Sequence, residues 1–340
     1  MKRLLLLFVL LFAVPAALAQ SKGNVLLTDD GVVYAATAER SHEHPDVAAS
    51  SSSYVVLTVR EGDASPRRII VPATLTDGWN SEPALAYDNE SGTLYVFWQY
   101  SVNAMSSELR FVSLDRDGNW SLPNTFESAS YHIRRNLRIA LTHVAGEQDE
   151  TGKVTSVPEI NVHATWWESS AGGELARYAM LTLHHGEVAI QVRDLSEFLR
   201  TGSASAYDVG ESFNRELFRH PAIFDSPASD SVDVVFGDVQ SNSFHRVTLT
   251  PIGNARVRIP VGRHDRTFGP PTSFASSVNG SIEAISPHPD RLLFFFEQDG
   301  AMRYIVYRNN EWSAVRTIRL DEGMSREMAV TAMRGLVGAH

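Results

Sequence analysis

Short apolar runs separated by polar turns recur along the whole chain. In the clearest stretch, the run 83–88 is followed by a glycine-containing turn and the run 94–99. A polar loop then leads to the run 109–114, to the turn 115–119 and to a short run, 120–123. Runs rich in aromatic and β-branched residues between Gly, Asp and Asn turns are typical of antiparallel strands. Four such strands joined by tight turns predict one blade of a β-propeller.

The same order of runs returns in four further stretches, at 45–49 with 54–59, 137–144 with 160–167, 221–225 with 232–236, and 282–285 with 292–296 and 302–307. The first run of every stretch contains an alanine, which is expected because the innermost strands of a propeller crowd around its channel. These alanines are Ala48, Ala84, Ala140, Ala222 and Ala284. An arginine opens the run after each polar loop, namely Arg68, Arg110, Arg177, Arg246 and Arg303. Repeats of this kind cannot bury their own faces, so we predict that they pack on one another.

The predicted fold class is therefore all-β, a single β-propeller domain over residues 20–340 made of four-stranded antiparallel blades. We expect six blades, with five as the alternative. In the six-bladed version, the runs 25–27 and 32–36 join 328–333 in one blade. Strands from both ends of the chain would then close the ring and hide the sheet edges that an open array exposes.

Composition and charge limit where the protein is expected to be located and which classes of partner it is expected to bind. Lys2 and Arg3, the apolar stretch 4–14 and the small residues 17–19 predict a signal peptide cleaved after Ala19, and thus a secreted or periplasmic protein without membrane insertion. The chain has no cysteine, so disulfides are excluded. Removal of Lys2 and Arg3 from the 30 basic residues leaves 28 against 40 acidic ones, a net charge of −12. That charge argues against nucleic acid as a partner.

The run 83–98, P-x-L-A-Y-D followed by G-x-L-Y-V-F-W, and a turn that ends in tryptophan carry a family resemblance. Ser113, Asp115, Gly118 and Trp120 approximate the Ser-x-Asp-x-Gly-x-x-Trp Asp-box, with the glycine one residue late. A parallel turn ends at Trp312 but lacks the aspartate. The chain thus resembles the sialidase-like (BNR/Asp-box type) β-propeller superfamily of glycan-processing and glycan-binding proteins. The resemblance implies the propeller architecture, and we do not extend it to an activity.

Loops between blades and loops between second and third strands share one face of a propeller, around the channel mouth, where ligands usually bind. Tryptophan faces stack on sugar rings, and arginine forks bind carboxylates at two points. On this plan the candidate ligand-binding residues are His44, Trp79, Glu82, Tyr100, Arg134, Arg135, Glu168, His220, Asp238 and Glu297.

A structural interpretation competes for part of this set, because a polar residue that ends a second strand lies across a hairpin from the arginine of the third. The expected pairs are Gln99/Arg110, Glu168/Arg177, Asp238/Arg246 and Glu297/Arg303. Cross-strand pairs of this kind contribute roughly 0.2–1 kcal/mol each. Recurrence in every blade favours this interpretation over catalysis, since one active site needs its groups once.

No metal and no cofactor is expected. His42 with His44 and His184 with His185 are close in sequence, but neither pair has a third ligand at a recognisable spacing. The first functional hypothesis is an exported module that binds a glycan or an envelope protein through the channel mouth. The alternative is a sialidase-like glycoside hydrolase, which needs a carboxylate pair and, for sialic acid, an arginine cluster. A third possibility is a scaffold that contacts envelope proteins through the sides of its blades.

Overall fold

The computed structural model describes residues 24–40, 53–144, 159–197, 221–268 and 283–318, apart from short gaps at 29, 63, 77, 104–105, 131–132, 171–172, 185–186, 196, 226–230, 239–242, 255–256, 289–290, 299–300 and 309–310. Within these residues nearly all regular structure is strand, which confirms the all-β prediction. None of their helical residues forms a segment long and apolar enough to span a bilayer. The chain separates into two compact units, residues 1–137 with 319–340 and residues 138–318.

The first unit contains two four-stranded antiparallel sheets in which neighbouring strands follow one another along the chain. One sheet comprises β1 (Asn24–Leu27), β2 (Val32–Arg40), β3 (Ser53–Glu61) and β4 (Arg67–Ile70). The other comprises β5 (Trp79–Asp88), β6 (Thr93–Asn103), β7 (Ser106–Leu114) and β8 (Asn124–Ser130). A single 3-10 turn, Pro72–Thr74, lies between the two sheets in the chain.

The second unit contains three further antiparallel sheets. The first consists of β9 (Ile133–Val144), β10 (Glu159–Ser170), β11 (Gly173–His184) and β12 (Glu187–Asp194), and the unit boundary falls inside β9. The next consists of β13 (Ala222–Asp225), β14 (Val232–Asp238), β15 (Ser243–Asn254) and β16 (Val257–Phe268). The last consists of β17 (Glu283–His288), β18 (Arg291–Gln298), β19 (Ala301–Arg308), β20 (Glu311–Trp312) and β21 (Arg316–Thr317), with both short strands paired to β19.

Each unit has an apolar core between its sheets. In the first unit, Val55 and Leu57 of one sheet pack with Val96 and Trp98 of the other. In the second unit, Tyr178 and Met180 of β11 share a cluster with residues of β14 and β15. The cluster residues of β14 are Val232, Val234 and Phe236. Alternate residues of each strand face these cores, as a period of two requires.

The turn between third and fourth strands repeats across the two units, as the parallel between Trp120 and Trp312 predicted. The Ser121 amide donates to the Ser113 carbonyl at 2.9 Å, and the Ser121 hydroxyl accepts from the Ser113 amide at 2.9 Å. Ser313 makes the same two bonds with Val306, at 2.8 and 3.0 Å. The serine that follows each tryptophan therefore closes the hairpin after the third strand with the same two hydrogen bonds in both sheets.

The turn that approximates the Asp-box is closed by hydrogen bonds of its own. The Asp115 carboxylate accepts from the Asn119 amide at 2.8 Å and from Asn119 Nδ2 at 3.0 Å. Hydrogen bonding to the Asn119 backbone is the largest of the effects that lower the pKa of Asp115. Trp120 forms an isolated bridge with Leu114, so the predicted strand 120–123 is wrong and the fourth strand is β8.

The assignment of the first repeat was wrong. The run 54–59 lies in β3, the third strand of its sheet, and Arg68 lies in β4, whereas the other four arginines lie on third strands. The runs 25–27 and 32–36, expected in a separate sixth blade, are β1 and β2 of that same first sheet. Residues 328–333 and Ala48 lie outside the described residues. The described chain thus forms five sheets. Blade number, ring closure and a single domain stay predictions.

Candidate ligand-binding edge of the first unit

Five of the candidate residues lie at one end of the sheet β5–β8. Because neighbouring strands are antiparallel, the starts of β5 and β7 and the ends of β6 and β8 meet at the same edge. The first residues of β9 join them through contacts with Ser107 and Glu82. We call this the candidate edge and define it as residues 78–82, 99–103, 106–110, 126–128 and 133–136. Trp79, Glu82, Tyr100, Arg134 and Arg135 belong to it.

Arg134 is part of the framework of the edge. Its side chain is only 1% exposed, and Nη1 donates to the Ser107 carbonyl at 2.7 Å and to the Ser107 hydroxyl at 3.0 Å. Nη2 pairs with the Glu127 carboxylate at 3.1 Å. These contacts tie β9 to β7 and β8 and occupy both ends of the guanidinium fork. Arg135, the next residue, is exposed.

Two residues of the edge that are not glycine have a left-handed backbone. Glu82 has φ 51° and Asn136 has φ 59°. Glu82 falls at the register shift between Ser81 and Ala84, where β5 departs from its pairing with β6. The Asn136 amide donates to Glu82 Oε2 at 3.2 Å, so the two residues hold each other. Such conformations cost on the order of 1–3 kcal/mol and concentrate at functional sites. We therefore take this contact as the centre of the candidate edge.

Tyr100 is packed against Arg110 and Gly78, which makes this part of the candidate edge rigid. The Arg110 guanidinium lies 3.7 Å from the centre of the Tyr100 ring, a cation–π contact. Arg110 is held in turn by Glu108 at 2.6 Å. Gly78, with φ 132°, also contacts Tyr100, because a Cβ on Gly78 would stand 2.8 Å from Tyr100 Cε2. Only glycine fits that position, which sequence reasoning did not single out.

Large apolar side chains are exposed at and beside this edge. Trp79 follows Gly78 and is 53% exposed, while Val102 and Ile133 are exposed on neighbouring strands. Leu75, in the segment that leads into β5, is exposed as well. Trp79 offers the largest flat face of the group.

Two amide oxygens of the edge are buried without a hydrogen-bond partner among the described residues, Asn80 Oδ1 and Gln99 Oε1. Asn80 Nδ2 donates to two carbonyls, those of Ser53 at 2.6 Å and Thr74 at 3.1 Å, which fixes the orientation of its amide. Buried acceptors normally find a donor in the protein, in water or in a ligand.

The expected cross-strand pairs form only in part. Glu168 pairs with Arg177 at 3.2 Å as expected, and it also accepts from Trp166 Nε1 at 3.4 Å. Gln99 does not pair with Arg110, because the register sets Arg110 opposite Trp98 and Glu108 holds its guanidinium.

Two further pairs of this set lie in the second unit. Arg246 pairs with Asp233, and Val235 stands opposite Arg246 in the β14–β15 register. Arg303 stands opposite Phe296, and Glu297 stands opposite Met302.

The other candidates have separate placements. Glu168 lies near the end of β10 in the second unit and is buried. Asp238 and Glu297 lie at the ends of β14 and β18. His44 and His220 lie outside the described residues. Among the residues that can be described, no group of three or more His, Asp or Glu side chains has the geometry to bind a metal.

A second polar group, the His163 cluster, lies inside the second unit and consists of His163, Thr142 and Tyr178. The Thr142 hydroxyl is 2.8 Å from His163 Nε2, and the Tyr178 hydroxyl is 2.7 Å from Nδ1. Both ring nitrogens are thus bonded to hydroxyls of the neighbouring strands. Burial lowers the pKa of His163 to about 3 and raises the pKa of Tyr178. The imidazole is neutral at ordinary pH.

No family model matches the chain, and no curated protein is significantly similar to it. Among solved structures, the polysaccharide lyase Uly1 aligns with a TM-score of 0.40 at 9% identity over 88% of this chain, which spans only 58% of the lyase. An α-L-arabinofuranosidase from Lactobacillus brevis aligns with a TM-score of 0.42 at 9% identity, over 90% of this chain and 92% of its own. A GH43_1 enzyme from Xanthomonas citri, complexed with xylose, aligns with a TM-score of 0.40 at 11% identity, over 96% and 100%. Similarity at this level assigns neither a family nor an activity, and the sialidase-like resemblance stays a prediction.

Proposed function

We propose that the protein is an exported binding module that holds a carbohydrate at the candidate edge. The observation that carries this proposal is Trp79, a half-exposed indole on the strand that begins beside the packed Gly78, Tyr100 and Arg110. An aromatic face on a rigid base loses little freedom when a ligand binds, so its contact area is converted efficiently into affinity.

The neighbours of Trp79 suit a sugar. A sugar ring has an apolar face that stacks on an indole and a rim of hydroxyls that need polar partners. Glu82 is such a partner, an acceptor within the same edge. The held backbone of Glu82 and Asn136 keeps one such acceptor in place before binding.

The carboxylates favour binding over hydrolysis. A glycosidase uses two carboxyl groups on either side of the scissile bond. Of the three glutamates of the candidate edge, Glu108 is paired with Arg110 and Glu127 with Arg134. Glu82 is left, with one oxygen bonded to Asn136. We therefore place hydrolysis second.

The test is glycan-array screening of the purified protein, followed by calorimetric titration of the best ligand. Trp79→Ala should weaken binding about tenfold, which corresponds to about 1.4 kcal/mol. The matched control is Leu122→Ala, because Leu122 is 84% exposed in the loop at the opposite end of the same sheet. Equal affinities for both variants would remove the site, and turnover of fluorogenic glycosides would replace binding by hydrolysis.

Export is part of the proposal and has a separate test. The signal peptide expected in residues 1–19 directs the protein to the periplasm or the medium, where glycans and envelope proteins are accessible. Cell fractionation with an antibody against the chain, and N-terminal sequencing for a start at Gln20, would check it. A full-length protein in the cytoplasm would contradict it.

A further inference from the structure

We infer that the sugar bound at the candidate edge is neutral, with hydroxyl groups as its polar contacts, and that acidic sugars are excluded. This inference rests on the proposed function. From sequence, arginines at a channel mouth suggest a ligand with a carboxylate, but in the structure these arginines contact other groups of the protein.

The arginines that an acidic sugar would need are occupied by the protein. A carboxylate ligand is normally gripped by a guanidinium fork that offers two free donors. The Arg134 guanidinium donates to Ser107 and pairs with Glu127, and its side chain is fully buried. Arg110 is held by Glu108 and lies over the Tyr100 ring. Releasing Arg134 would leave Glu127 without this partner, and releasing Arg110 would break its contacts with Glu108 and Tyr100, so both releases oppose ligand exchange.

The groups left for a ligand are mainly acceptors. Glu82 Oε2 accepts from the Asn136 amide, and Glu82 Oε1 accepts no hydrogen bond from the described residues. Hydroxyl groups donate to such acceptors, whereas a sugar carboxylate has only acceptors and would face the Glu82 charge. The acidic chain as a whole, with a formal net charge of −10, adds to that repulsion.

Arg135 is the exposed cation of the edge and therefore the residue to test. If it bound an acidic sugar, its loss would abolish recognition. On our account the preference for the neutral over the acidic sugar is retained in Arg135→Gln.

The experiment measures the affinity of the wild-type protein for matched acidic and neutral glycans. The pairs are polygalacturonate with its fully methyl-esterified form, and sialylated with desialylated N-acetyllactosamine. In whichever pair binds, the neutral member should bind at least tenfold more tightly. Raising the salt concentration from 50 to 500 mM should lower this ratio of affinities, because screening weakens charge repulsion. Glu82→Gln, which removes the charge and keeps an acceptor for Asn136, should narrow it too.

The outcomes separate this inference from the proposed function. Equal or tighter binding of the acidic members, lost in Arg135→Gln, would overturn the neutral-sugar inference and leave glycan binding intact. A ratio that persists in high salt and in a folded Glu82→Gln protein would also overturn the charge argument. Failure of the wild-type protein to bind any arrayed glycan would refute the proposed function itself.

Discussion

The candidate edge and the His163 cluster both bring polar side chains together on paired strands, but they differ in how those side chains are satisfied. In the cluster, both nitrogens of a fully buried imidazole are bonded to hydroxyls of adjacent strands. At the edge, Glu82 and Asn136 have a strained backbone, and Gln99 Oε1 has no donor among the described residues. Satisfied polar networks specify a core, whereas strained backbone concentrates at functional sites. The same chain thus separates a stability element from a functional surface.

The largest effect is expected from the His163 cluster. His163→Ala removes both hydrogen bonds and leaves the hydroxyls of Thr142 and Tyr178 unpaired beside a cavity. We expect the free energy of unfolding to fall by roughly 3 kcal/mol or more, measured by urea denaturation. Glycan affinity of the remaining folded protein should be unchanged, and a loss of affinity without a loss of stability would break the comparison.

The pH dependence of stability gives an internal control for that variant. The pKa of His163 is about 3 in the folded protein, below the ordinary value of 6.5, so the unfolded chain binds the extra proton between these two values. His163 therefore contributes its full stabilisation above pH 6.5 and loses it as the pH falls towards 3, at about 1.4 kcal/mol per unit. His163→Ala should lack this component of the slope. Equal slopes in both proteins would show that the imidazole is not held neutral.

A smaller effect is expected at the candidate edge, where Gly78 has a matched control in Gly62 of the turn that follows β3. Gly78→Ala places a Cβ against Tyr100 at φ 132°, whereas Gly62, at φ 54°, has open space around it. We expect Gly78→Ala to cost about 1–3 kcal/mol of stability. It should also weaken glycan binding about tenfold, because Trp79 is displaced. Gly62→Ala carries only its own backbone strain and should leave affinity unchanged. Equal affinity losses in both variants would remove the special role of Gly78.

The sequence predicted strands best where turn residues and alternation agree. The runs 83–88, 94–99 and 109–114 lie inside β5, β6 and β7, because their glycine and aspartate turns limit the possible registers. The first repeat was assigned wrongly, because an apolar run by itself does not show whether it is the second or the third strand of its sheet. The run 54–59 fits both positions equally well.

Side-chain partners were harder to predict than strands. Arg246 pairs with Asp233 because the β14–β15 register sets Asp233 opposite Thr248, which puts it diagonally beside Arg246 on the same face, and the sequence does not give that register. Arg134 was expected to bind a ligand, but it donates to Ser107, which is 27 positions away in the sequence. The role of Gly78 depends on the approach of Tyr100, which only the fold supplies.

The most direct measurement is hydrogen–deuterium exchange of the wild-type protein with and without the best glycan from the array. We predict slower exchange in 78–82, 99–103 and 133–136, and unchanged exchange around His163, whose hydrogen bonds are already closed. Protection confined to the second unit, with the edge unaffected, would contradict the account.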